Sequence, residues 1–132
     1  MSYLVDTHVL LWTLMDTGKL SDAVREVYAS ATDVQASNVS FWEISIKFRL
    51  GKLDLGGLAP DDIYHAARDS RFRIIDIDAA CMASLHRLPL GRHRDPFDRL
   101  LIWHAIRDGD TTLISRDRRF EDYRQYGLRL LV

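Results

Sequence analysis

The stretch that decides the fold is DPFDRLLIWHAIRDGDTTLIS, residues 95–115. Asp95 is a favoured capping residue and Pro96 suits the first helical position, so the spacing predicts a helix over 96–108. Thr111–Ser115 then reads as a short apolar strand. On the helix, Asp98 shares a face with Leu101, Ile102 and Ala105. That face points into the protein, where a lone carboxylate is costly unless something pairs with it.

Outward from this unit the same alternation covers the chain. Candidate strands are Tyr3–Asp6, Val34–Ala36, Arg73–Ile77, Thr111–Ser115 and Leu128–Leu131. Between them lie candidate helices at Val9–Met15, Ser21–Ala31, Val39–Leu50, Pro60–Ser70, Ala79–Arg87, Pro96–Asp108 and Arg118–Tyr123. Strands that are short and apolar on both sides are buried on both faces. The pattern predicts an α/β fold, a parallel sheet sandwiched between helices in one domain over residues 1–132. Ser21 and Ser37-Asn38 mark helix starts, and Gly51 marks a helix end.

The composition narrows the function classes. With 47% hydrophobic and 28% charged residues the chain reads as an ordinary globular protein. No apolar run approaches the roughly 18 residues of a membrane helix, so no membrane partner is expected. MSYLVDTHVLLW lacks the basic start of a signal peptide. The single cysteine, Cys81, excludes an internal disulfide and a cysteine-rich zinc site and suits a cytoplasmic protein. A net charge of −1 excludes a uniformly basic nucleic-acid binder. The 15 arginines against 3 lysines suit phosphate recognition, although coding bias produces the same excess.

In open parallel sheets ligands gather at the carboxyl ends of the strands. Asp6 ends the first strand, Asp117 follows the fourth, the second strand leads into the helix carrying Glu43, and Asp98 opens another helix near the same edge. Each acid has a local explanation. Asp6 and Asp117 suit helix caps, Glu43 can pair with Lys47, and Asp98 is favoured by the helix dipole. Taken together they converge, and like charges in a dry crevice repel. A divalent cation is the simplest remedy, and hard oxygen donors select Mg²⁺ or Mn²⁺. The partner expected for Asp98 is therefore a metal ion, held jointly with Asp6 and Asp117.

YLVDTHVLLW, ASNVSFWEISIKFRLGKL, LPLGRHRDPFDRLLIWHA and TLISRDRRF resemble, in order, the motifs of PIN-domain nucleases, and within them the VapC-type toxins of bacterial toxin–antitoxin pairs. The resemblance implies a three-layer α/β/α fold with four to five strands in the order 3-2-1-4-5. It also implies an acidic metal site at Asp6, Glu43, Asp98 and Asp117, with Asp95 first the helix cap and an accessory residue of the site. Ser115 stands where relatives often carry threonine and keeps a hydroxyl beside the site. Trp103-His104 departs from the small or amide residues common there. Further implications are a homodimer and an antitoxin partner that wraps an apolar groove. Trp12, Phe41, Trp42, Phe48 and Phe72 are candidate groove aromatics, with core packing as the ordinary alternative.

The expected reaction is metal-assisted hydrolysis of RNA (tRNA, rRNA or mRNA) to 5′-phosphate and 3′-hydroxyl ends, with Asp6 or Glu43 orienting the water. An acidic site needs cations around it. Arg94, Arg99 and Arg116 are the expected RNA contacts, among neighbours Arg92, Arg118 and Arg119. Two other readings remain. His8, His93 and His104 offer a metal-independent route through the 2′-hydroxyl. A catalytically idle binding module would use the acids only as caps. A phosphoacceptor receiver domain fits less well, because Asp6 stands alone and no lysine follows Lys52.

Overall fold

The computed structural model describes Met1–Val132, and in it the predicted alternation forms one sheet of five parallel strands. The elements are β1 (Ser2–Val5), α1 (Thr7–Met15), α2 (Asp22–Ser30), β2 (Val34–Ser37), α3 (Asn38–Arg49), α4 (Pro60–Arg68), β3 (Phe72–Ile75), α5 (Ala79–Ser84), α6 (Pro96–Asp108), β4 (Thr111–Ile114) and β5 (Arg129–Leu131). Short 3₁₀ segments cover Thr17–Lys19, Leu85–Arg87 and Arg118–Tyr126. The strand order is β3-β2-β1-β4-β5, the 3-2-1-4-5 arrangement expected from the resemblance. In register, Leu4 of β1 faces Gln35 of β2 on one side and Leu113 of β4 on the other.

Three local differences from the sequence reading have physical causes. The segment after Asp117 is a 3₁₀ helix rather than an α-helix, and it runs to Tyr126 before Gly127 ends it at φ 99°. The helix predicted over 79–87 changes to 3₁₀ after Ser84. Strand β3 stops at Ile75, because the Ile77 N–H donates to the Asn38 side chain at 3.0 Å and leaves the ladder.

Neighbouring strand residues face opposite layers. Leu4 and Leu113 pack with Leu101, Ala105 and Phe120 beneath α5 and α6. Val5 and Ile114 pack with Val9, Leu10, Val24 and Ile63 from α1, α2 and α4. Helix α3 serves both layers, through Val39 on one side and Ile44 on the other. Phe72, a candidate groove aromatic, is 5% exposed inside the second core, so it lines no groove. Trp42 and Phe48 are exposed, and Trp12 and Phe41 are half-buried.

Arg99 departs from its expected role as an RNA contact. Its side chain is buried, with Nη1 donating to the Tyr123 hydroxyl at 2.9 Å and the Pro89 carbonyl at 3.2 Å, and Nη2 to the Leu88 carbonyl at 2.9 Å. Arginine's fork satisfies several acceptors at once, which makes it a fastener for the loop before α6. Tyr123 completes the clasp by donating to the His93 carbonyl at 3.3 Å. The loop passes so close to this ring that a Cβ on Gly91 would lie 3.1 Å from the Tyr123 hydroxyl. Replacing Arg99 with alanine strands these acceptors and is expected to lower unfolding free energy by roughly 2–4 kcal/mol. Urea denaturation measures it, and a loss below about 0.5 kcal/mol, the ordinary surface value, would contradict the fastener role.

Candidate active site

The sheet's strand order reverses at β1, and the crevice between the carboxyl ends of β1 and β4 is where Asp6, Ser115 and Asp117 emerge. Asp6 caps α1, its Oδ1 accepting from the Val9 N–H at 2.8 Å. Only 2% of the residue is exposed. Burial lifts its carboxyl to about 7, against the stabilising hydrogen bonds of Ser115 and Val9 and with the Asp98 charge adding to the rise. Ser115 is itself fully buried, and its hydroxyl accepts from the Asp117 N–H at 3.0 Å.

Helix α6 carries the next pair. Asp95 caps it, with Oδ1 accepting from the N–H groups of Phe97 at 2.8 Å and Asp98 at 3.3 Å. Asp98, in the first turn, is 7% exposed and turns inward as its spacing predicted. Asp117 caps the following 3₁₀ segment through the Arg119 N–H at 3.0 Å, and Arg119 Nη2 lies 2.7 Å from its Oδ2. That guanidinium, helped by His93, holds the Asp117 carboxyl below its usual range against partial burial.

His93 joins them. It is 1% exposed, with Nε2 at 2.9 Å from Asp98 Oδ2 and 3.1 Å from Asp117 Oδ2. Its Nδ1 accepts from the Asp95 N–H at 3.3 Å, which assigns the ring proton to Nε2. The Nε2 atom is nevertheless aligned with neither oxygen and is the one buried side-chain polar atom without a hydrogen-bond partner. Burial works against a charged ring, but the carboxylates of Asp98 and Asp117 prevail and raise its affinity for a proton above the ordinary value. The sequence placed His93 beside Asp98 only as a competitor mechanism. Its true neighbourhood depends on a loop pinned from 30 residues away by Tyr123.

Glu43 arrives from α3 at 1% exposure, and both of its oxygens are engaged. Oε1 accepts from the Thr7 hydroxyl at 2.6 Å, and Oε2 pairs with Lys47, the i,i+4 partner foreseen from sequence. Lys47 Nζ is also 3.6 Å from Asp95 Oδ2. Burial disfavours the Lys47 charge, yet Glu43, Asp95 and Asp98 hold its protonation above the usual range.

The tight grouping is thus His93, Asp98 and Asp117, whose nearest ligand atoms all lie within 4.8 Å of one another. Asp6 stands outside that grouping but shares a recess with Asp117 and Arg116. The donor chemistry fits a hard divalent cation through the carboxylate oxygens of Asp98 and Asp117, with no thiolate near them, whereas His93 Nε2 carries a proton in this arrangement and offers no lone pair. Of the flanking cations, Arg94 and Arg116 are exposed, and Arg116 Nη1 donates to the Lys19 carbonyl at 2.8 Å. Arg92 is committed to Asp122 and Arg119 to Asp117, whereas Arg118 is exposed.

The PIN domain family profile matches residues 3–125. The chain belongs to the PIN domain family. Solved structures share the fold of this PIN domain at low identity. A DNA-bound VapBC from Salmonella typhimurium is 21% identical, with 99% of this chain and 97% of that chain covered and a TM-score of 0.62. VapBC2 from Rickettsia felis, bound to a promoter DNA fragment, is 19% identical over 99% of this chain and 98% of that one, with a TM-score of 0.63. FitAB bound to the IR36 DNA fragment is 18% identical over 98% and 93%, with a TM-score of 0.66. No curated protein sequence matches the chain at a significant level.

The buried carboxyl of Asp6 sets a pH dependence. The unfolded chain releases this proton near 3.8, whereas the folded PIN domain keeps it to about 7. The folded state therefore holds more protons between these values, and its stability falls as pH rises through the window. Asp6→Asn keeps the cap acceptor and removes the charge. In chelator its melting temperature is expected to exceed wild type by at least about 5 °C at pH 8 and to match it near pH 4. Scanning calorimetry at both pH values tests this, and an equal gap at both would contradict it.

Proposed function

We propose that this PIN domain is a metal-dependent endoribonuclease, the toxin of a VapC-type toxin–antitoxin pair. The observation that carries the reading is the close approach of Asp98 and Asp117, with the buried Asp6 bordering the same recess as Asp117. Asp98 and Asp117 are the residues to hold Mg²⁺ or Mn²⁺, with Asp6 completing the set across the recess. The ion would supply Lewis acidity toward a phosphate oxygen and a lowered pKa for a nearby water.

The protein's own groups divide the remaining work. Asp6, its carboxyl lifted to about 7, is assigned to orient the attacking water and accept its proton. Glu43 stays in the site as the charge that holds Lys47, which must let go before Glu43 can act on water. His93 places its Nε2 within 3.1 Å of both Asp98 and Asp117 and offsets their negative charge electrostatically. Arg94 and Arg116 meet the RNA backbone from the exposed rim.

The antitoxin partner is supported by the similar structures, which are of VapBC, VapBC2 and FitAB bound to DNA. A homodimer and a cytoplasmic location belong to the same reading. No helix is long and apolar enough to cross a membrane. One set of observations favours an idle module instead: Asp6, Asp95 and Asp117 all serve as caps, so each has a reason to exist without chemistry. Calorimetric titration with Mn²⁺ separates the two, since an idle module binds no metal.

Cleavage of total tRNA and rRNA fragments tests the reaction. Activity is expected with Mg²⁺ or Mn²⁺, none with EDTA, and at least a roughly 100-fold loss in Asp98→Asn. Product ends are expected to be 5′-phosphate and 3′-hydroxyl, and cyclic phosphate made in chelator would remove the metal mechanism. For the rim, Arg116→Ala is expected to weaken RNA binding and to reduce the slope of log affinity against log salt by about 0.7, the value for one phosphate contact on a single strand. An unchanged slope would free Arg116 of that role.

A further inference from the structure

Every recess on this molecule is bordered by one side chain, Trp12. The first, of about 260 Å³, runs between Trp12, His8 and Arg116 to the carboxylates of Asp6 and Asp117. The second, of about 390 Å³, lies between Trp12, Lys19 and Arg116. The third, of about 400 Å³, has an apolar wall of Leu11, Met15, Leu53 and Leu55. Trp12 is half-buried, so part of the indole stays open where they meet. It sits on α1, whose cap is Asp6, about 9 Å along the helix axis at 1.5 Å per residue.

Cations and a second ring surround the indole. Lys19 Nζ is 6.0 Å from the centre of the Trp12 ring and 3.7 Å from Asp16 Oδ2, an exposed pair that a phosphate can displace. The exposed His8 ring is 6.1 Å away at 46°. Arg116 is fixed by the Lys19 carbonyl, and no carboxylate pairs with it, so its charge is free for a phosphate. A flat aromatic face with unspent positive charge beside it is how proteins hold single-stranded nucleic acid.

We propose that Trp12 is the stacking platform for an RNA base next to the scissile phosphate, with Arg116 and Lys19 holding the phosphate that joins that base to the strand. The assignment rests on the ribonuclease reading and adds a nucleobase subsite to it. The apolar recess alone would suit a polypeptide equally. Continuity with the acids, and the unpaired charge of Arg116 where a polyanion must pass, decide for RNA.

Stacking tolerates any base, so the effect is one of position more than of sequence. Fluorescein-labelled oligo(U) decamers, intact or with one abasic position moved along the strand, are titrated by anisotropy onto Asp98→Asn protein with and without Trp12→Leu. Trp12→Leu is expected to weaken the intact decamer roughly 5- to 100-fold, and Trp12→Phe much less. With Trp12 present, abasic substitution at one or two adjacent positions weakens binding, and in Trp12→Leu it no longer does. Circular dichroism and melting of both variants verify the fold, and Trp12→Phe carries the test should Trp12→Leu not fold. Equal RNA affinity, or a loss indifferent to the abasic position, overturns the platform and leaves the recess to a polypeptide. If wild type still cleaves RNA in that event, the ribonuclease reading stands alone. If wild type neither binds nor cuts RNA, both fall.

Discussion

The structure turns on carboxylates withdrawn from water at one end of a parallel sheet. Moving such a group inside is costly, and the cost is met only by groups already present at that edge. The strand order brings the starts of α1 and α6 to the crevice, and helix N-termini offer unpaired N–H groups and a favourable dipole. Asp6 and Asp95 use those N–H groups directly. Lys47, His93 and Arg119 supply the remaining positive or donating atoms, Lys47 between Glu43 and Asp95, His93 between Asp98 and Asp117, and Arg119 on Asp117. Without these partners the crevice would be a fault in the core, and with them it holds its charges in an ordered array.

Much of this was legible in the sequence, for reasons of range. Cap residues, the proline at the head of α6 and the period that turns Asp98 inward act over one or two helical turns. The strand order followed from the motif order of a known family rather than from periodicity. The Glu43–Lys47 pair was also readable, because i,i+4 neighbours meet on any helix. Arg99 and His93 were misjudged because their settings are assembled by Tyr123, which lies 24 and 30 residues downstream of them. From sequence, Arg99 beside two acids looks like a free cation, and only packing shows its fork spent on loop carbonyls.

Local and functional explanations of the acids are complementary in the structure rather than rivals. A cap consumes one carboxylate oxygen and leaves the other. Asp6 gives Oδ1 to the Val9 amide, so its orientation is fixed by the helix it starts. Capping therefore preorganises a ligand oxygen at no further entropic cost, which a free side chain would incur on binding. The bland role is the means by which the second oxygen is aimed.

The same logic separates the acids by task. Arg119 lies against Asp117 and keeps it ionised, whereas Asp6, fully desolvated and facing the Asp98 charge, holds its proton to about 7. Two neighbouring carboxyls with affinities pushed in opposite directions are suited to different work. The one kept ionised is suited to anchor a cation in the proposed reading. The other sits where it can gain or lose a proton with little driving force, which is what moving a proton from water requires. Under the proposed metal-dependent reading, a bound cation would favour the ionised form of Asp6, so occupancy of the site and the charge of Asp6 would be linked.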